Sequence, residues 1–424
     1  MFEKIVRATM ENRLYRSIKK GIVGRWKALP KKLDISFGTF MRKRYMAKIP
    51  VDNKKILFMT FQGDYTCNPK YITEEILRRK LPYEIVWAKG DGTNSDKSKN
   101  KKRYFPEGIK TVEKNSLEFF QEMASAKVIV INSFLFKTHA MKLKKDQILI
   151  QTWHGSLGIK RIGKEDKKED LLWINGMEKT SEMTKYCISN SSFETNVYRE
   201  TFWEDTEILE LGHARNDIFF SVGDNEKVRN ELKEKIYEQY GLEADTKIIL
   251  YAPTFRNSHT FSCYDIDVEG LLDEATKKWG GNWAIMLRYH PSVKADSSKK
   301  NQLKGERIIN VTAYPDMQDL IAIADIGITD YSSWIYDYML LRKPGFIFAT
   351  DIEDYDTERG FYYPLTSTPF PVATNNVELL ENIQSFDEEK YLHELELFLD
   401  GKGCIDDGHA SERIVDLIKQ NMKI

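Results

Sequence analysis

Two histidines follow short apolar runs closely: His154 in Gln151-Thr152-Trp153-His154-Gly155-Ser156, and His290 in Arg288-Tyr289-His290-Pro291. A histidine on a tight loop at the end of a buried strand titrates near neutrality and can serve as a general base. Pro291 fixes the backbone after His290 and disfavours helix there. Each histidine also has a plainer reading, as an imidazole bonded to a loop carbonyl and serving only its turn. Two further segments in the same kind of place offer groups for anions. Tyr251-Ala252-Pro253-Thr254-Phe255-Arg256 supplies the Thr254 hydroxyl and the planar Arg256 fork, which suits phosphate. Thr329-Asp330-Tyr331-Ser332-Ser333 runs into Trp334-Ile335-Tyr336-Asp337-Tyr338. There Asp330, Ser332 or Ser333 can cap a helix whose N-terminus cradles phosphate. Their plainer readings are a surface arginine and a simple N-cap. Gly212-His213-Ala214-Arg215-Asn216-Asp217 and Arg359-Gly360-Phe361-Tyr362 also follow apolar runs. Arginine, histidine, serine and aspartate converging at strand ends suit an anionic donor that bears a pyrophosphate.

Such residues converge only if an alternating strand–helix framework presents them. β-branched and aromatic runs predict strands at 55–60, 83–88, 128–132, 148–152 and 186–190, with helical patterns at 69–80 and 116–124 between them. A second series has strands at 207–211, 247–252, 283–288, 307–311, 326–329 and 345–349, and helices at 226–240, 268–279, 317–324 and 333–341. This alternation predicts an α/β protein of two Rossmann-like lobes with parallel sheets and a cleft between them, where ligands meet the C-terminal ends of the strands. The expected divisions are 1–48, a basic N-terminal helical extension; 49–204, an acceptor lobe; 205–375, a donor lobe; and 376–424, C-terminal helices.

The 424 residues, 41% of them hydrophobic, suffice for two cores, and the formal net charge is zero. That average conceals a basic head: residues 1–48 hold 14 Lys/Arg against 3 Asp/Glu, a net +11, which leaves −11 on the rest. Within it Phe2, Val6, Met10, Leu14, Ile18, Ile22 and Trp26 recur at every fourth position. The spacing predicts an amphipathic helix, lying either on an anionic membrane surface or on the protein body. The lopsided charge favours the membrane, with no nucleic acid as partner. Cys67, Cys187, Cys263 and Cys404 form no CxxC pair, so no metal is expected. No apolar stretch reaches membrane-spanning length and no signal peptide is visible, which predicts a peripheral protein on the cytoplasmic face of the cell membrane.

The four ordered motifs around His154, Arg256, His290 and Ser332 resemble the signature of the CDP-glycerol:poly(glycerophosphate) glycerophosphotransferases, the teichoic-acid and capsule polyol-phosphate transferases. Asn68-Pro69-Lys70-Tyr71, Arg215-Asn216-Asp217, Arg359-Gly360-Phe361-Tyr362 and Gly408-His409-Ala410-Ser411-Glu412-Arg413 are similar to further family segments. The likeness runs from about Lys54 to the C-terminus. It implies a GT-B-like fold and transfer of glycerol phosphate from CDP-glycerol to a polyol-phosphate or lipid-linked glycan acceptor, with release of CMP and no cofactor. It implies His154 and His290 as catalytic residues. Thr254, Arg256, Arg288, Asp330, Ser332, Ser333, Arg215, Asn216 and Arg359 would bind substrate. The chain departs from the family pattern at His213-Ala214, at Phe255 and at Ser156-Leu157-Gly158. Other readings are a CDP-ribitol donor, a nucleotide-sugar glycosyltransferase on the same scaffold, and a non-catalytic polyanion-binding module.

Overall fold

Runs such as Ile56-Leu57-Phe58-Met59, Val128-Ile129-Val130-Ile131 and Ile248-Ile249-Leu250-Tyr251 lack polar alternation, as strands covered on both faces must. All twelve side chains are buried, and burying one such aliphatic or aromatic group is worth about 1.5–3 kcal/mol. The computed structural model describes residues 46–422 except 62, 91–103, 136–141, 159, 166–170, 255–264, 290–304, 354 and 356–359.

The first half comprises β1 (Asp52–Met59), α1 (Cys67–Arg78), β2 (Glu84–Lys89), β3 (Lys110–Glu113), α2 (Leu117–Ser125) and β4 (Ala126–Ile131). It continues with β5 (Ile148–Gln151), α3 (Leu171–Ser181), β6 (Thr184–Ser189), α4 (Ser192–Thr201) and β7 (Glu207–Glu210). A 3-10 turn, Ala214–Asn216, leads into α5 (Asp217–Asp224), α6 (Glu226–Tyr240), β8 (Lys247–Tyr251), α7 (Val268–Trp279) and β9 (Trp283–Leu287). Then come β10 (Ile308–Asn310), α8 (Met317–Ile323), β11 (Ile326–Thr329), α9 (Trp334–Tyr338), β12 (Gly345–Phe348), β13 (Val372–Ala373), α10 (Asn376–Gln384), α11 (Glu388–Lys402) and α12 (Ala410–Met422).

The strands form two parallel sheets, ordered β3-β2-β1-β4-β5-β6-β7 and β10-β9-β8-β11-β12-β13. In each sheet the order reverses beside its first strand, at β1/β4 and at β8/β11, and the loops leaving these points diverge to open a crevice. Local chemistry sets the helix starts: Ser116, Ser191, Asn225 and Asp316 each accept a backbone N–H of the first turn from their side chains.

The halves are joined several times. Lys70 of α1 places Nζ 2.6 Å from Asp316 Oδ2, and the Thr66 hydroxyl donates to Asp316 Oδ1 at 2.8 Å. Lys160 bridges to Phe361, and Ser191 to Cys404. The last helix returns to the first sheet, where Ile414, Val415, Ile418 and Met422 share a core with Ile56, Phe58 and Trp87.

Three details differ from the sequence reading. The run at 207–211, read as opening the second series, is the edge strand of the first sheet, paired with β6. The helix expected at 333–341 is five α residues followed by a 3-10 turn ending at Arg342 in the left-handed region, φ 54°. Strands β3 and β13, of four and two residues, went unread because each is too short to show a period. The apolar stripe from Phe2 to Trp26 lies outside the described residues. Among those described, no helix is long and apolar enough to cross a membrane.

Candidate active site

The turn after β5 is held from several sides before it presents His154. Gln151 reaches Ser133 O with Nε2 at 2.9 Å and accepts the Trp153 N–H on Oε1 at 3.0 Å. Asn68, at the start of α1, donates from Nδ2 to Thr152 O at 2.9 Å and to Trp153 O at 3.3 Å. Trp153 stands at φ 49°, a left-handed conformation unfavourable for a bulky residue. Its indole is fixed edge-on against Trp173, Tyr198 and Trp203. Gly155 cannot be larger without disturbing that indole, because an added Cβ would meet Trp153 Nε1 at 2.9 Å.

His154 donates from Nδ1 to the Asn132 carbonyl at 2.6 Å, which leaves Nε2 as the basic nitrogen. The carbonyl bond of the plainer reading is therefore present, and it orients the ring rather than occupying both nitrogens. The Phe61 ring stacks on the imidazole at 5.9 Å, and the Phe61 N–H is fastened to Asn132 Oδ1 at 2.8 Å. The imidazole itself is solvent-exposed at the cleft floor. The protein walls around the cleft nevertheless lower its pKa to about 4: desolvation by that surround is the largest cause, the Asn132 carbonyl opposes it, and Arg215 and Lys160 add to it. The ring is thus neutral at physiological pH.

Across the crevice, Thr254, Arg288, Ser332 and Ser333 line the same cavity of about 490 Å³ as His154. Arg288 follows β9, with its N–H bonded to Tyr251 O at 2.9 Å and its Nη1 to Tyr314 O at 2.8 Å. It forms no ion pair with the described residues, and burial pulls its pKa below the usual arginine value. Asp316 and Asp64 act on it from beyond ion-pair distance, and a guanidinium so placed in a cleft wall is a strong site for an anion. Asp330 lies buried below the cavity and accepts Thr254 N at 2.8 Å and Tyr331 N at 2.5 Å, joining the loops after β8 and β11. Its observed work is to set the loop that carries Thr254. Ser333 precedes α9 without a side-chain capping bond. With five residues the helix offers a weaker dipole than the sequence suggested, so the two serine hydroxyls are the main polar groups there.

Arg215 lines the cavity but is 2% exposed and already paired. Nε lies 2.9 Å and Nη2 3.2 Å from the Asp337 carboxylate, and Nη2 also donates to Gly155 O at 2.5 Å. Asn216 does not line this cavity; its Nδ2 donates to Asp406 at 2.8 Å. His213, which departs from the family pattern, is fully buried with Nε2 3.0 Å from Glu194 Oε2. Arg256, His290 and Arg359 lie outside the described residues. Sequence reasoning missed Asp337, Gln318, Thr66, Cys67 and Lys160, which also line the cavity. Asp337 did leave a signal, as a lone acid inside the aromatic run Trp334-Ile335-Tyr336-Asp337-Tyr338.

The model of the CDP-Glycerol:Poly(glycerophosphate) glycerophosphotransferase family matches residues 41–420. The chain is 31% identical over 390 residues to a teichoic acid poly(glycerol phosphate) polymerase of Staphylococcus epidermidis, covering 88% of this chain and 51% of that one. It thus spans about half the length of that relative. It is 30% identical over 304 residues to a teichoic acid ribitol-phosphate primase of Bacillus spizizenii, covering 70% of this chain and 75% of the relative. A solved structure of the wall teichoic acid polymerase TagF, a histidine-to-asparagine variant soaked with CDPG, superposes with a TM-score of 0.75 at 27% identity over 98% of each chain.

Proposed function

Because the chain belongs to the CDP-glycerol:poly(glycerophosphate) glycerophosphotransferase family, we propose that it transfers glycerol phosphate from CDP-glycerol to a hydroxyl of a teichoic-acid-like or capsular polymer, or of its lipid-linked primer. CMP is the leaving group. The observation that carries this reading is His154, fixed through Nδ1 with Nε2 left free for a proton, in one cavity with the Arg288 guanidinium, which meets no carboxylate at ion-pair distance among the described residues.

The acceptor oxygen attacks the glycerol-side phosphorus of the donor in line, and the bond from that phosphorus to the CMP oxygen breaks. His154 Nε2 takes the acceptor proton, a contribution of about 10²–10⁴-fold. Arg288, with the hydroxyls of Thr254, Ser332 and Ser333, offsets the charge that grows on the phosphoryl oxygens and on CMP. His290, Arg256 and Arg359 are proposed to serve the same donor by resemblance. The lobes are read as a GT-B-like pair, and the basic head as the contact with an anionic membrane at its cytoplasmic face.

CMP release by purified protein, given CDP-glycerol or CDP-ribitol and a glycerophosphate-primed acceptor, tests the proposal. Release with CDP-glycerol and a phosphodiester in the product supports it. Release with CDP-ribitol alone favours the second reading, a ribitol-phosphate transferase, which the 30% identity to a ribitol-phosphate primase motivates. Silence with both removes the phosphotransferase reading.

A further inference from the structure

Arg215 carries a positive charge into the cavity wall, yet its donors are engaged. Nε and Nη2 face Asp337 as a fork, Nη2 also serves Gly155 O at 2.5 Å, and Nη1 lies 3.7 Å from Cys67 Sγ. Both members of the ion pair are 2% exposed. The three residues belong to different parts of the fold: Arg215 to the 3-10 turn that leaves the first sheet, Asp337 to α9 beside the donor-side loops, and Gly155 to the turn that carries His154. Gln318 of α8 holds Asp337 from the other side, with Nε2 3.1 Å from Oδ2. The Arg215 backbone N–H donates at 3.1 Å to Asn68 Oδ1, and the amide nitrogen of the same Asn68 holds Thr152 O and Trp153 O.

The carbonyls on both sides of His154 are therefore fixed, two by Asn68 and one by Arg215. The turn needs such restraint, because it contains Trp153 at positive φ, and strained turns persist only where their surroundings over-determine them. We propose that Arg215 and Asp337 are positioning residues: their buried pair ties helix α9 of the donor side to the backbone of the His154 turn and sets where the base stands relative to the donor phosphorus. This rests on the function proposed above. It assigns Arg215 a different role from the phosphate contact that its motif implied.

In-line attack tolerates little misplacement, and a shift of about 1 Å lowers turnover roughly 100-fold. The test uses the full-length chain with two conservative variants, Asp337→Glu and Arg215→Lys, which keep both charges but change the reach. Melting temperature, calorimetric affinity for CDP-glycerol, and kcat for CMP release are measured for each. The expected result is a kcat at least 30-fold below wild type, with donor affinity within about threefold and the fold intact. Weakened donor affinity with an unchanged kcat at saturation would overturn the proposal and make Arg215 a phosphate ligand. Retention of both parameters would overturn it too, as would losses that disappear once the assay is cooled below the variants' melting range. The parent reading fails separately: wild type that binds CDP-glycerol but releases no CMP refutes the reaction itself.

Discussion

Replacement of Arg288 by alanine gives a sharp test of the donor side. Its guanidinium has five N–H donors. Nη1 is engaged by Tyr314 O at 2.8 Å and, more weakly, by Val311 O at 3.5 Å, and no carboxylate among the described residues lies at ion-pair distance from the group. One or two charge-assisted bonds to the donor phosphates, at about 1.5–3 kcal/mol each less the partial rehydration of the site, come to roughly 1.5–4 kcal/mol. Arg288→Ala should therefore lower kcat/KM for CDP-glycerol by about 10- to 1000-fold. Arg288→Lys keeps the charge but loses the fork and the Tyr314 tether, and should recover only part of the loss. Stability should respond differently, because removing a half-buried cation that has no carboxylate at ion-pair distance among the described residues relieves a desolvation penalty. The melting temperature of Arg288→Ala should stay within a few degrees of wild type. Steady-state CMP release across donor concentrations, with a thermal melt, makes the measurement. An unchanged kcat/KM, or a loss that merely tracks a lowered melting temperature, would refute the argument.

His154→Gln should lower kcat about 10²–10⁴-fold, with KM for the donor changed by only a few fold. In wild type, kcat/KM should fall as pH drops through about 4, where the free imidazole protonates, and kcat should fall at a higher pH because bound donor phosphates favour the imidazolium; the variant should lack this acid limb. Gly327→Ala places a Cβ 2.9 Å from Tyr338 Cδ1 and Cε1 inside a closed core, so a denaturant titration should find about 1–3 kcal/mol of destabilisation. Asp217 accepts Ala410 N at 3.0 Å and Ser411 N at 2.7 Å where α12 begins, and Asp217→Ala should cost about 1–3 kcal/mol in the same titration. Burial raises the Asp217 pKa to about 6, above the 3.8 of an ordinary aspartate. Folding therefore favours the protonated carboxyl: this protonation-linked stability is complete below pH 3.8 and lost as the pH rises through about 6, while the two capping hydrogen bonds are accepted on either side of it. Asp217→Asn should flatten stability across that window.

Strands buried on both faces announced themselves. Eleven predicted runs correspond to observed strands, because continuous Val, Ile and Phe stretches have few other uses. Membership of a sheet was less legible. The strand Glu207–Glu210 has the same local pattern whichever sheet receives it, and only its pairing with β6 assigns it. The residue types around the site were visible in the motifs, but their division of labour was not. Arg215 and Arg288 are both strand-end arginines in the sequence. Asp337, from a helix more than a hundred residues further on, decides that the first is neutralised, and no comparable partner meets the second among the described residues. The strain at Trp153 was likewise hidden, since φ there follows from tertiary restraints on Thr152, Trp153 and Gly155.

The return of α12 to the first sheet has a consequence for synthesis. A ribosome extends the chain at ~5–20 residues per second, so the roughly 200 residues from Glu210 to Ala410 take about 10–40 s. Throughout that interval Ile56, Phe58, Ile72 and Trp87 lack the cover of Ile414, Val415, Ile418 and Met422. The first lobe therefore cannot mature as an independent nascent domain. It waits, with an oily face open to chaperones or to neighbouring chains, for a helix made after the whole second sheet. Premature termination anywhere in those residues would leave a sticky half-protein instead of a soluble one-lobed fragment.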